Sequence, residues 1–198
     1  MEEVETPQGP ARVQLHAAAE PRGALVLGHG AAGGVGTPDL KAVTEVAGTE
    51  GFHVALVEQP YRVAGRKSSP PAPKLDEAWL AVVRHLREDQ LGGLPLVAGG
   101  RSAGARVACR TAADSGAAGV LCLAFPLHPP GRPEKSRQPE LDAVAVPALV
   151  VQGDSDPFGM PAAGPSREVV TVAGNHSLKA DLDGVAAAVR GWLHSVLA

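Results

Sequence analysis

Short, continuously apolar runs alternate along this chain with longer segments whose apolar residues recur every three or four positions. The runs fall at residues 24–28, 53–57, 94–98, 120–124, 148–152 and 169–172. Unbroken apolar runs suit strands covered on both faces, as in a parallel sheet. Residues 12–16 alternate polar with apolar and predict an antiparallel edge strand ahead of the core. Leu75, Trp79, Val82, Val83 and Leu86 form one helical stripe, and Leu182, Val185, Val189, Trp192, Leu193 and Val196 form another. Pro38 and Asp39 open a further helix that stops near Gly51, and residues 103–113 read as a helix as well. The alternation predicts a three-layer α/β domain with a mainly parallel sheet and right-handed crossovers. Residues 60–74 and 126–139 are too rich in proline for regular elements and read as loops. Each follows a strand, so each is expected at the sheet edge where open α/β folds bind ligands.

With 198 residues the chain is expected to form one domain, 1–198, whose first 20 residues are an N-terminal edge segment. It is too short to carry a cap domain of its own. Net charge is −3 and hydrophobic residues make up 44%, so nothing basic calls for nucleic acid or an anionic membrane. The acidic start Met1-Glu2-Glu3-Val4-Glu5 has no apolar stretch behind it, so no secretory signal is expected. No apolar run is long enough to span a bilayer. A cytoplasmic protein follows as the expectation. The abundance of Ala, Gly and Pro, with arginine exceeding lysine, suggests a GC-rich bacterial genome. Cys109 and Cys122 lie in apolar segments and read as buried thiols. No residues show metal-ligand spacing, so neither metal nor cofactor is expected.

The chemistry starts at Gly100-Arg101-Ser102-Ala103-Gly104, which closes a strand and opens a helix. In that context G-x-S-x-G is a nucleophile elbow, a sharp turn that exposes the serine at the strand's C-terminal end. A serine hydroxyl needs a base during attack, and a histidine titrates near the operating pH. His176 lies between the last strand and the last helix, which places it on that same edge. His128, in the proline-rich loop, is its rival. An acid must orient the imidazole. Asp156 and Asp154 both follow the penultimate strand; Asp154 sits directly after Gly153 and suits an Asx-turn, so Asp156 is preferred. The order Ser, Asp, His is that of α/β-hydrolases. Gly28-His29-Gly30-Ala31 follows the first core strand, and the backbone N–H groups of Ala31 and Ala103 are the candidate oxyanion donors. The same glycines also fit a dinucleotide-binding turn with Glu58 as its acid, a reading that uses neither Ser102 nor His176. Arg101 is read as holding a carboxylate such as Glu58 or an anionic substrate, and Arg106 as a surface or ion-pairing residue.

These pieces together resemble a small, capless α/β-hydrolase of the dienelactone-hydrolase-like branch. The loop Phe125-Pro126-Leu127-His128-Pro129-Pro130-Gly131, the run Gly99–Arg106 and Pro60-Tyr61 with Gly65-Arg66 are similar to the group that contains testis-expressed protein 30 and the hydrolase-like domain of NSL complex regulatory subunit 3. The resemblance spans roughly residues 25 to 180. It implies a minimal three-layer α/β-hydrolase fold with Ser102, Asp156 and His176 as a triad, and it implies little about substrate. One departure is Asn175, where an Asp is common before the histidine. The expected function is hydrolysis of a small-molecule carboxylic ester or thioester through an acyl-enzyme. A non-catalytic scaffold that keeps the fold is the alternative, and a peptidase or acyltransferase would use the same residues.

Overall fold

The sheet is built outward from strands whose side chains are apolar on both faces. In the computed structural model, which describes residues 1–197, eight strands run β1 (Glu2–Val4), β2 (Ala11–His16), β3 (Gly23–Gly28), β4 (Phe52–Glu58), β5 (Leu96–Arg101), β6 (Gly119–Leu123), β7 (Ala148–Gly153) and β8 (Arg167–Val172). Their spatial order is β1-β2-β4-β3-β5-β6-β7-β8. All neighbours pair in parallel except β1 with β2 and β2 with β4. The parallel strands β3, β5, β6 and β7 are buried almost throughout, as their unbroken apolar runs require. Edge strand β8 has only Val172 fully buried, which fits its mixed sequence.

Helices α1 (Pro38–Thr49), α2 (Pro60–Val63), α3 (Ala72–Asp89), α4 (Ala103–Thr111), α5 (Gln138–Asp142) and α6 (Leu182–Val196) complete the chain. Two apolar clusters lie on opposite faces of the sheet. One joins Trp79, Val82, Val83 and Leu86 of α3 and Val107 and Ala108 of α4 to Val26, Ala98 and Val120. The other joins Leu40 and Val43 of α1 and Val185, Val189 and Leu193 of α6 to Leu25, Leu27 and Leu149. The result is the expected three-layer α/β-hydrolase fold without a cap. No helix among the described residues is long and apolar enough to cross a membrane.

Several elements depart from the sequence reading: β2 is antiparallel as expected but lies inside β1, which forms the edge, β8 begins at Arg167, and α4 ends at Thr111. Residues 60–74 are not one loop: α2 begins at Pro60 and α3 at Ala72, each with proline in its first turn. Proline's missing N–H is harmless there, because the first helical N–H groups have no partner within the helix. Strand β5 starts at Leu96, two residues later than predicted, and runs on to Arg101. The loop at 126–139 is interrupted by a 3₁₀ turn, Pro133–Lys135, and ends as α5 begins. Cys109 and Cys122 are buried free thiols with their sulfurs 3.5 Å apart. The neighbouring Cys109 and burial push the Cys122 thiol up, away from the reactive thiolate.

Candidate active site

The C-terminal ends of the parallel strands gather the chemistry-bearing residues, and β5 supplies the first. Between β5 and α4, Ser102 takes φ 51° and ψ −109°, a conformation that costs a non-glycine residue energy and that the elbow imposes. The turn is tight because β3 and α4 nearly touch. A Cβ on Gly104 would lie under 3.0 Å from backbone atoms of Gly28 and His29. The helix after the glycine-rich turn, α1, begins only at Pro38, so Gly28, Gly30 and Gly33 do not open a helix as a dinucleotide-binding turn requires.

From Ser102 a line of hydrogen bonds crosses three loops. Ser102 Oγ is 2.9 Å from His176 Nε2, and His176 Nδ1 is 2.8 Å from Asp156 Oδ2. With a neutral imidazole, Nδ1–H donates to the carboxylate and Nε2 accepts from the hydroxyl, the arrangement a general base requires. The Asp156 side chain is 1% exposed, so its charge is shielded from water while it faces the ring. Its second oxygen, Oδ1, accepts from Phe158 N at 2.8 Å. The Phe158 ring stacks on His176 with centroids 4.1 Å apart and limits how the imidazole can tilt.

The rivals occupy other places. His128 bonds Pro129 O through Nδ1 and packs its Nε2 side against Gly159, so it buttresses the Asp156 loop. Asp154 Oδ1 accepts from Gly174 N at 3.0 Å and so ties the acid loop to the His176 loop. Asn175 Oδ1 accepts from both the N and Oγ of Ser177, closing the turn that carries His176.

Both candidate oxyanion donors flank Ser102. Ala103 is the first residue of α4, so its N–H has no partner inside the helix. Ala31 follows Gly30, where a Cβ would come within 2.8 Å of Arg101 Nη1 and 3.5 Å of Ser102 Cβ. His29 fixes the direction of the Ala31 N–H. The buried imidazole donates from Nδ1 to Gly30 O at 2.7 Å, and its Nε2 accepts from Gln59 N at 3.0 Å. A trans peptide points its N–H opposite its C=O, so pinning Gly30 O aims the Ala31 N–H away from the ring. Tyr61 Oη donates to Ala31 O at 3.2 Å and secures the next peptide.

Arg101 braces the floor. Its Nη2 donates to His176 O at 2.9 Å, and its Nε lies 2.9 Å from Oδ2 of the fully buried Asp39, out of line for a hydrogen bond. The carboxylate it meets is therefore Asp39 at the start of α1, and not Glu58. Arg106 pairs with Glu140 through two bonds of 2.9 and 2.6 Å, locking α4 to α5. A cavity of about 480 Å³ lies between β1, β2 and α2, lined by Gln59, Tyr61, Arg66 and Lys74 among others, and neither the triad residues nor residues 28–31 line it.

Sequence reasoning missed His29, Gln152 and Phe158. Each reads as an ordinary core or loop residue, and only the tertiary contacts give it a task. The signals present are the resembling segments Gly28-His29-Gly30-Ala31 and Gln152-Gly153 with Asp156-Pro157-Phe158-Gly159, which hold these residues without giving them a role.

The α/β hydrolase domain family matches residues 21–182. Among solved structures, a lidless α/β serine hydrolase from Xanthomonas campestris superposes with a TM-score of 0.80 at 20% identity, covering 96% of this chain and 91% of that one. Est1E from Butyrivibrio proteoclasticus, solved with ferulic acid bound, gives 0.78 at 18% identity with 97% of each chain covered. A dienelactone hydrolase from Anabaena variabilis gives 0.77 at 17% identity, covering 96% of this chain and 94% of that one. At such identities the structures show a common fold, and the family match spans most of the sequence: the chain belongs to the α/β hydrolase domain family.

Proposed function

We propose that the protein is a serine hydrolase of carboxylic esters or thioesters, with Ser102, His176 and Asp156 as its triad. The observation that carries this reading is the unbroken line from Ser102 Oγ through the His176 ring to Asp156. In the reaction, Ser102 Oγ attacks the substrate carbonyl carbon while its proton passes to His176 Nε2. The carbonyl oxygen becomes an oxyanion facing the N–H groups of Ala31 and Ala103. Collapse breaks the bond to the leaving alcohol or thiol, which takes the proton from His176, and an acyl-serine remains. Water then attacks that ester, losing a proton to His176, and the acid departs as Ser102 Oγ recovers the proton. Asp156 stays ionised and stabilises the imidazolium at each stage.

Similarity to the testis-expressed protein 30 and NSL subunit 3 group, carried by residues 125–131 and 99–106, belongs to this proposal. A scaffold role is the second class. It would require Ser102 and His176 to stand apart, and their 2.9 Å separation favours catalysis. The deciding experiment pairs fluorophosphonate labelling with hydrolysis of p-nitrophenyl acetate in wild type and Ser102→Ala. Labelling should vanish in the variant and turnover should fall by roughly 10⁴-fold or more. An unlabelled, folded wild type would turn the assignment to the scaffold class.

A further inference from the structure

Gln152 is the last side chain of β7 before the acid loop, and it is fully buried. Its Nε2 lies 2.8 Å from Asp156 Oδ2, 3.0 Å from Phe125 O and 3.0 Å from Gly159 O. Three acceptors surround one amide nitrogen, so the amide cannot be turned over without setting its own oxygen against all of them. That orientation leaves Gln152 Oε1 buried without a partner. A side chain kept only for packing has no need to strand an acceptor. Here the stranded oxygen accompanies two N–H groups aimed at a carboxylate and at the two loops beside it. The Asp156 oxygen that Gln152 reaches is also the one that His176 Nδ1 reaches.

We propose that Gln152 is a positioning residue that fixes Asp156 against His176 and moderates how strongly the carboxylate holds the protonated ring. The inference rests on the triad reading above. An N–H shared with Oδ2 draws off part of the charge facing the imidazole. Being neutral, the amide does this without adding a titrating group to the site. A glutamate in its place would set a second carboxylate against Asp156 and two carbonyls, while a shorter amide would not span the gap.

Other charged or titratable groups packed around the pair are Asp154 on the acid loop, His128 on the loop after β6, and Arg101 beneath the His176 loop. Arg101 is itself paired with Asp39, and Arg137 donates to Pro126 O behind the loop after β6. None of these side chains bonds Gln152 directly, although His128 packs on Gly159, whose carbonyl accepts from the Gln152 amide.

The test measures p-nitrophenyl acetate hydrolysis against pH for wild type, Gln152→Met and Gln152→Asn, with active sites counted by fluorophosphonate titration. His176 ring resonances are followed by NMR over the same range. Methionine keeps the volume without a donor, and asparagine guards against misfolding of that variant. With the N–H removed, Asp156 holds the imidazolium more firmly, so the acidic limb of kcat/KM should move up by about one pH unit. At neutral pH kcat should drop about tenfold with KM little changed. The His176 resonances should titrate at correspondingly higher pH. Superimposable acidic limbs and unchanged His176 titration, whatever the loss of rate, would overturn the proposal and leave Gln152 a packing residue. A wild type without esterase activity would instead remove the triad reading, and the NMR titration would still decide the role of Gln152.

Discussion

His29 works through hydrogen bonds that leave it no freedom. Gln59 N can only donate, so Nε2 must be unprotonated and Nδ1 must carry the hydrogen that reaches Gly30 O. Burial lowers the pKa of His29, because a charged imidazole there would lose its water. With the folded value depressed, the unfolded chain takes up this proton first as pH falls. The contribution of His29 to stability is therefore full above its unfolded value near 6.5 and is lost as pH drops towards the folded value. Thermal melts should show this fall in wild type and a smaller one in His29→Gln. The same variant releases the Gly30 carbonyl and so loosens the Ala31 N–H. Loss of one oxyanion donor bounds the effect, and kcat should decrease by about 10²-fold with KM nearly constant. An unchanged kcat would show that Ala31 is held without His29.

At the level of elements, the site depends on how closely β3, β5 and α4 approach. Gly104 lets α4 rest on the backbone of Gly28 and His29, and that contact fixes how the Ser102 turn sits against the turn at residues 28–31. Gly104→Ala drives a methyl group into backbone atoms that cannot rotate aside. It should lower stability by about 3 kcal/mol in urea unfolding and reduce activity in the folded fraction. A variant with wild-type stability would mean that α4 can shift away from β3 at little cost. Two ion pairs hold the far side of α4, Arg106 to Glu140 on α5 and Arg110 to Asp76 on α3. The proline-led starts of α2 and α3 show why residues 60–74 were misread: proline breaks a helix interior but suits its first turn.

For the molecule as a whole, one sheet carries two apolar layers, each with a buried tryptophan. Trp79 sits in the layer of α3 and α4, and Trp192 in the layer of α1 and α6. Because every parallel strand contributes side chains to both layers, losing one exposes the other, and unfolding should be a single step. In Trp79→Phe and in Trp192→Phe the remaining tryptophan's fluorescence and the far-UV circular dichroism should give one common midpoint within each variant. Separate midpoints would reveal layers that unfold independently.

The sequence alone determined the alternation of buried strands and amphipathic helices, since period and apolar content are local properties of the chain. It also singled out Ser102, Asp156 and His176, because the ends of parallel strands converge on one edge and each residue follows such a strand. Tertiary structure decided what lies between them. The choice between Glu58 and Asp39 for Arg101 depends on which helix start is folded under β5, and nothing within a few residues of Arg101 encodes it. The task of His29 needs Gln59 from another strand end. That of Gln152 needs Phe125 from the end of β6 as well as the nearby Asp156 and Gly159 folded back onto it. A hydrogen-bond partner is selected by distance in space, and only packing the two layers against the sheet sets those distances.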